Sequence, residues 1–327
     1  MNVGLVGGGN ISDTHARAAR AAGLNLVGVF GDNHTRTREL AQRYGIVAYD
    51  TLDALVVQSS LDLVMIGSPS GCHAEQASTA ALAGCHVLVE KPLDISTARI
   101  DQLLQTVERA GVTLGVIFQD RLKPDVVAMK RQIEAGDLGT PLLATGEVKW
   151  FRPPEYYAGS RWRGTWALDG GGALMNQGIH TVDLLLHLVG PVTRVSGLVA
   201  TRFHKIEVED TATAMLEFEN GALGTIDVTT AAFPGRPRRL QIAGSAGTLR
   251  LEGDHLSGTN AGSVEQASSP VVTDVSAHVR IIEDFVDAVR HRRLPVCAGR
   301  EGRRSVEVVE AVYRSAREKR PIDLRQG

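Results

Sequence analysis

For about the first hundred and twenty residues the chain alternates short apolar runs with helix-compatible segments, and then the alternation stops. Val3–Val6, Asn25–Phe30, Leu63–Ile66, His86–Val89 and Thr113–Phe118 read as strands. Thr14–Ala22, Thr35–Tyr44, His73–Ala83 and Ser96–Ala110 read as the helices between them. Near-continuous apolar strands need both faces covered, and right-handed crossovers through the helices then build a doubly wound parallel sheet, a Rossmann domain. In such a sheet ligands lie in the crevice outside the carboxyl ends of the strands, so the residues that end each strand carry the functional argument.

The first strand ends in Gly7-Gly8-Gly9-Asn10-Ile11-Ser12. Gly7 permits a tight turn, Gly9 lets backbone approach a pyrophosphate, and the helix that follows offers unpaired N–H groups to phosphates, although Ser12 stands where a third glycine is usual. The second strand ends in Gly31-Asp32-Asn33. Asp32 suits the ribose hydroxyls of NAD, Arg36 or Arg38 suits the 2'-phosphate of NADP, and Asp32 serves equally as the cap of the next helix, so both cofactors stay open. The third strand ends in Gly67-Ser68-Pro69 with His73 beyond it, where the histidine reads as a ligand contact or as a structural helix-start residue. The next strand runs into Glu90-Lys91-Pro92, which places an acid and a base at a crevice. Proline lacks an N–H and biases Lys91 toward extended angles.

A length of 327 residues with 43% hydrophobic content allows a second core, and the change of pattern after Gln119-Asp120-Arg121 marks its start. The expected division is 1–120 and 121–327. Pro124–Ala135 reads as a helix, Leu142–Phe151 as a strand, and Gly253–Ser269 as a loop. Between strand and glycine run lies an irregular stretch with Trp150, Tyr156, Tyr157, Trp162 and Trp166 mixed with Arg152, Arg161 and Arg163, which lines a ligand site or packs on itself. Gly170-Gly171-Gly172 leads into a helix expected over Ala173–Val189, whose spacing puts Asn176, His180 and Asp183 on one face of an otherwise apolar element. Strands over Val192–Phe203, Asp210–Glu219, Ala222–Thr230, Arg239–Ala243 and Thr248–Leu251, joined by turns such as Asn220-Gly221, give an α+β domain with a mainly antiparallel open sheet. Helices near 277–291 and 301–317 are available to cover it.

Taken together, Gly7-x-Gly9-x-Ile11, Ser68-Pro69 with His73, the Glu90-Lys91-Pro92 stretch, and Gly170 through His180 to Asp183 resemble the Gfo/Idh/MocA oxidoreductase family over the whole chain. The resemblance implies hydride transfer between nicotinamide and a secondary alcohol of a sugar, inositol or related polyol. It implies His180 as general base, Lys91 polarising the oxygen, Asp183 orienting His180, and Asn176 where many relatives bind substrate through an aspartate. The expected cofactor-binding set is Gly7, Gly9, Asn10, Ile11, Asp32, Arg36, Ser68, Pro69, His73, Glu90, Lys91 and Gln119. The expected substrate set is Lys91, Arg121, Trp162, Arg163, Asn176 and His180. Two rival readings from the same fold are NAD-assisted glycoside cleavage and a non-catalytic nucleotide-binding sensor.

A formal net charge of −2 gives no basic field for nucleic acid or anionic membrane. Three separated cysteines, Cys72, Cys85 and Cys297, suggest neither a disulfide framework nor a thiolate metal site, and no metal is expected. With no signal segment or apolar span at the N-terminus, the expectation is a cytoplasmic protein, and the resemblance implies a homodimer or homotetramer through the open sheet face.

Overall fold

The computed structural model describes residues 1–258 and 274–324. They form two compact units. The first comprises Met1–Gln119 and a later return that ends at Arg303; the second begins at Asp120 and takes up the chain again from Arg304.

In the first unit, strands β1 (Asn2–Val6), β2 (Asn25–Phe30), β3 (Val47–Tyr49), β4 (Leu63–Ile66), β5 (His86–Glu90) and β6 (Leu114–Ile117) make one parallel sheet in the order 3-2-1-4-5-6. Helices α1 (Asn10–Ala21), α2 (His34–Tyr44), α3 (Leu52–Gln58), α4 (His73–Leu82) and α5 (Thr97–Ala110) connect them. The order reverses between β1 and β4, the switch point where such sheets bind dinucleotides. All four residues of β4 and of β6 are buried, as the unbroken Leu-Val-Met-Ile and Leu-Gly-Val-Ile runs require. β3, only three residues long and partly exposed, has too little apolar sequence to be read in advance, so the strand expected third is the fourth.

The contiguous division at residue 120 needs correction, because the chain returns to the first unit. Helix α9 (Ser276–His291) packs its buried face, Ala277, Ile281, Ile282 and Phe285, in this unit and contacts α1. A side chain at Gly115 of β6 would meet the Phe285 ring at 2.6 Å, so the glycine makes room for the returning helix. Cys297 and Ala298 then lie along β6, with Val116 N–H donating to the Cys297 carbonyl at 2.9 Å.

The second unit carries an eight-stranded sheet built from β7 (Pro141–Lys149), β8 (Val192–Ala200), β9 (Thr211–Phe218), β10 (Leu223–Thr229), β11 (Arg239–Gly244), β12 (Thr248–Glu252), β13 (His255–Gly258) and β14 (Ile322–Asp323), in the order 13-12-11-7-10-9-8-14. Every neighbouring pair is antiparallel except β7 and β10. β9 alternates buried and exposed residues along its length, the signature of a sheet covered on one face. Helices α6 (Pro124–Glu134), α7 (Glu155–Ala158), α8 (Ile179–Leu188) and α10 (Gly299–Glu318) complete the chain. Small residues let the helices approach the inner face: a side chain at Gly146 would strike Thr181, and one at Gly197 would strike Val312. β13 occupies part of the stretch expected as a loop; residues 259–269 of that stretch lie outside the described residues.

Candidate active site

In the first unit the strand ends gather around a glycine turn. Gly7 has φ +117°, where L side chains are strained, and an added Cβ would meet the Gly67 carbonyl oxygen at 2.6 Å. Gly9 precedes α1 in extended conformation, no side chain caps the helix, and a Cβ there would meet nothing within 4 Å. Open space, bare backbone and an uncapped helix start suit a pyrophosphate. Two buried polar atoms without partners, the Ser12 hydroxyl and the Gln119 Oε1, also fit a polar ligand better than an empty crevice. The residues present therefore fit a dinucleotide.

At the end of β2 the helix cap is Asn33, whose Oδ1 accepts the Arg36 N–H at 3.1 Å. Asp32 is thus not the cap, and it is exposed. Its charge reaches Cys72, where burial first and Asp32 second raise the thiol above its usual range.

His73 and Glu90, both expected as cofactor contacts, have their polar atoms engaged within the protein. The buried His73 ring lies between the Pro92 carbonyl at Nδ1 (2.7 Å) and the Ser68 carbonyl at Nε2 (2.9 Å), bracing two strand-end loops against each other. Glu90 points into the core. Its Oε1 accepts from His15 Nε2 at 3.0 Å and lies 4.0 Å from His278 Nε2, while its Oε2 accepts the Lys91 N–H at 3.1 Å. Burial pushes this carboxyl up, but the His15 hydrogen bond and the charges of His15, His278 and Lys91 outweigh it and bring it down to about 2. The buried acid thereby fixes the backbone at half-exposed Lys91, and the Lys91–Pro92 peptide is cis within a bend rather than part of an extended run.

The second unit holds the other expected residues, on an element that differs from expectation. Ala173–Gly178 is a π-helical turn, and only Ile179–Leu188 is α-helical, so Asn176 does not share regular α-helical spacing with His180 and Asp183. The glycine run before it is demanded by Glu209. That buried carboxylate accepts from the Gly172 and Leu174 N–H groups at 2.9 Å each and from the Tyr313 hydroxyl at 2.9 Å, and any side chain at Gly172 would overlap the Glu209 backbone. Burial raises the Glu209 carboxyl despite these bonds.

The roles expected for Asp183 and Arg121 are also corrected. Arg121 Nε and Nη2 donate to the two oxygens of Asp183 at 2.8 and 2.6 Å, both side chains are almost fully buried, and Ser305 adds a 3.2 Å bond from α10. This ion pair anchors α8 and leaves Arg121 inside the fold instead of at a substrate. The acid facing His180 is Asp120, with Oδ2 3.7 Å from Nδ1. Asp120 itself is held by Arg238 at 2.5 Å and by Lys123 at 2.9 Å. Burial opposes its ionisation, but Arg238, His180 and Lys123 together hold its carboxyl far below the usual range. Asn176 donates to the buried Asp169 at 2.6 Å. Asp120, Asp169 and Arg238 escaped sequence reading; their signals were a polar triplet straight after β6, an acid just before the glycine run, and the Arg236-Pro237-Arg238-Arg239 cluster.

In the loop after β7, Arg163 stacks on Tyr156 and Trp162 with Cζ 4.5 and 5.2 Å from the ring centroids, while Trp166 packs edge-on against Tyr313. Among the described residues no group of three or more His, Cys, Asp or Glu side chains gathers as a metal ion would need, and no described helix is long and apolar enough to cross a membrane.

Comparison with known proteins agrees with this geometry. Residues 1–118 match the oxidoreductase family with an NAD-binding Rossmann fold, and residues 126–250 match the GFO/IDH/MocA C-terminal domain. Similar proteins include a D-apiose dehydrogenase from Paraburkholderia graminis, 29% identical over 98% of this chain and 89% of that protein. A myo-inositol 2-dehydrogenase from Thermotoga maritima is 26% identical over 100% and 99%. Among solved structures, the WlbA dehydrogenase from Bordetella pertussis in complex with NADH and UDP-GlcNAcA superposes with a TM-score of 0.90 at 35% identity, covering 100% of this chain and 99% of that one.

The Glu90 cluster generates a pH dependence. A carboxyl lowered in the folded state from 4.5 to about 2 contributes stability that is fully present above about pH 4.5 and is lost as pH falls through about 2. Glu90→Gln is expected to lose on the order of 3 kcal/mol at neutral pH and to flatten the acid limb of stability in that window. Urea midpoints measured against pH check this, and identical acid limbs in both proteins would contradict it.

Proposed function

The chain belongs to the GFO/IDH/MocA family of NAD-binding oxidoreductases, and on that premise we propose that it oxidises a secondary alcohol of a sugar or polyol with Lys91 and His180 handling the proton. The observation that carries the assignment is Asp120, a carboxylate fixed by Arg238 and Lys123 that faces His180 Nδ1 at 3.7 Å. A permanent negative charge on that side favours a proton at Nδ1, which leaves Nε2 as the base that takes the hydroxyl proton. Lys91, its backbone held by Glu90, is the proton-handling group of the first unit, an ammonium suited to stabilising alkoxide character on a substrate oxygen. Bound NAD supplies the hydride acceptor. Gly7, Gly9, Asn10 and Ile11 would hold its pyrophosphate, and Ser12 and Gln119 offer it polar atoms that lack partners. Asp32, released from capping by Asn33, accepts the adenosine ribose hydroxyls and repels a 2'-phosphate, which supports NAD over NADP.

The open face of the eight-stranded sheet supports self-association. Leu143, Leu198, Met215 and Leu223 are exposed on it, with Leu143 and Leu223 directly paired across β7 and β10. Large apolar residues grouped on one sheet face mark an interaction surface, and a homo-oligomer through this face covers them.

The kinetic test follows NADH formation on a panel of sugars and inositols, with NADP in parallel. Lys91→Met is expected to retain NADH affinity and lose about a hundredfold to ten-thousandfold in turnover, and His180→Ala to lose a similar factor with the acid limb of its pH–rate profile removed. Full turnover in Lys91→Met, or an unchanged profile in His180→Ala, removes the assigned role, and equal turnover with NADP removes that of Asp32. Light scattering is expected to give a dimer or larger; a monomer would remove the sheet-face reading.

A further inference from the structure

Between Trp150 and Trp166 the chain carries three arginines against one glutamate, although its formal net charge is −2. Two of those arginines share one aromatic ring. The Cζ atoms of Arg152 and Arg163 lie 5.1 and 4.5 Å from the centroid of Tyr156, and each guanidinium also stacks on a tryptophan, Arg152 on Trp150 at 5.3 Å and Arg163 on Trp162 at 5.2 Å. Arg121, Arg238 and Arg303 all meet carboxylates; among the described residues Arg152 and Arg163 meet none. The Nε of each is buried without a hydrogen-bond partner, so these are not freely solvated surface arginines. Like charges brought together and partly desolvated without a counter-charge are unfavourable.

One of the two, Arg152, is tied directly to the turn that leads into the helix bearing the proposed base. Arg152 Nη2 donates to Gln177 Oε1 at 3.1 Å, and Gln177 Nε2 donates to the Tyr156 hydroxyl at 3.0 Å and to Asn176 Oδ1 at 3.1 Å. Gln177 and Asn176 belong to the π-helical turn that runs into Ile179 and His180. A group bound by the two arginines would therefore belong to whatever molecule the turn presents to the base.

We propose that Arg152 and Arg163 bind an oxyanion carried by the substrate, a carboxylate or a phosphate, and so select an acidic sugar or polyol over its neutral counterpart. This rests on the dehydrogenase reading and narrows it. Stacking holds both guanidinium planes in place, so little side-chain freedom is lost when their forks engage an oxyanion. The ligand supplies the negative charge that the fold omits, and charge-assisted bonds to guanidinium are the stronger kind.

The test uses the intact protein saturated with NADH and follows tryptophan fluorescence, since Trp150 and Trp162 touch the two guanidinium groups. D-glucuronate against D-glucose forms the carboxylate arm; D-glucose 1-phosphate against D-glucose forms the phosphate arm. One charged ligand is expected to bind at least about tenfold more tightly than glucose, with an advantage that shrinks as salt is added. Arg152→Gln and Arg163→Gln should each lose that advantage while keeping NADH affinity, and Arg161→Gln, at an exposed arginine, should keep it. Equal binding of charged and neutral ligands, or an advantage that survives in both glutamine variants, overturns the proposal. Failure of the wild type to bind NADH would instead overturn the dehydrogenase reading, and this inference with it.

Discussion

A carboxylate taken out of water must be met by charge or by hydrogen bonds, and much of what positions the functional residues here follows from that requirement. Glu90, at the carboxyl end of the fifth strand, is met by His15 from the helix after the glycine turn and by His278 from the returning helix. One buried acid thus links the nucleotide turn, the strand that presents Lys91 and a segment almost two hundred residues later in the chain. The second unit repeats the device. Asp183 is locked by Arg121 and Ser305, Asp120 by Arg238 and Lys123, and Glu209 by two backbone N–H groups and Tyr313. These networks hold the helix and loop that carry His180 and Asn176, so removing one partner leaves a buried charge exposed to nothing and is costly.

The parallel sheet was legible because its signal is local. Unbroken apolar strands ending in Gly7, Gly67 or Lys91 say where a crevice lies before any contact is known. The return of Ser276–His291 to the first unit was not legible, since an amphipathic helix displays an apolar face without naming its partner; the matching clue, Gly115 beneath Phe285, only has meaning once both are placed. The π-helical turn was missed because its composition is that of an ordinary helix. The choice between Asp183 and Asp120 shows the same limit. Asp183 stands one turn from His180 in sequence, but a bidentate bond from Arg121, 62 residues away, takes it into the core, and Asp120, the first residue of the second unit, faces the histidine.

Family membership sets the chemistry, and the substrate preference proposed for this chain rests on the irregular loop after the seventh strand. Its relatives include proteins named for D-apiose and myo-inositol and one solved in complex with UDP-GlcNAcA, which is a wide range for one fold. A common catalytic core with variable loops accounts for such breadth, because a rigid sheet can present the same acid and base to different substrates while the loop decides which one is held. Here that loop offers aromatic rings and uncompensated positive charge.

Net hydride transfer from substrate to cofactor shows itself in the stoichiometry of ketone and reduced cofactor. The protein is incubated with NAD and each sugar, inositol and sugar acid of a panel, and the ketone formed and the NADH released are quantified together. The account requires one NADH for each ketone. Product formed without net NADH would point to a cofactor recycled within each turnover, as in glycoside cleavage, and bound NAD with no product from any substrate would point to a sensor; either result would contradict the account.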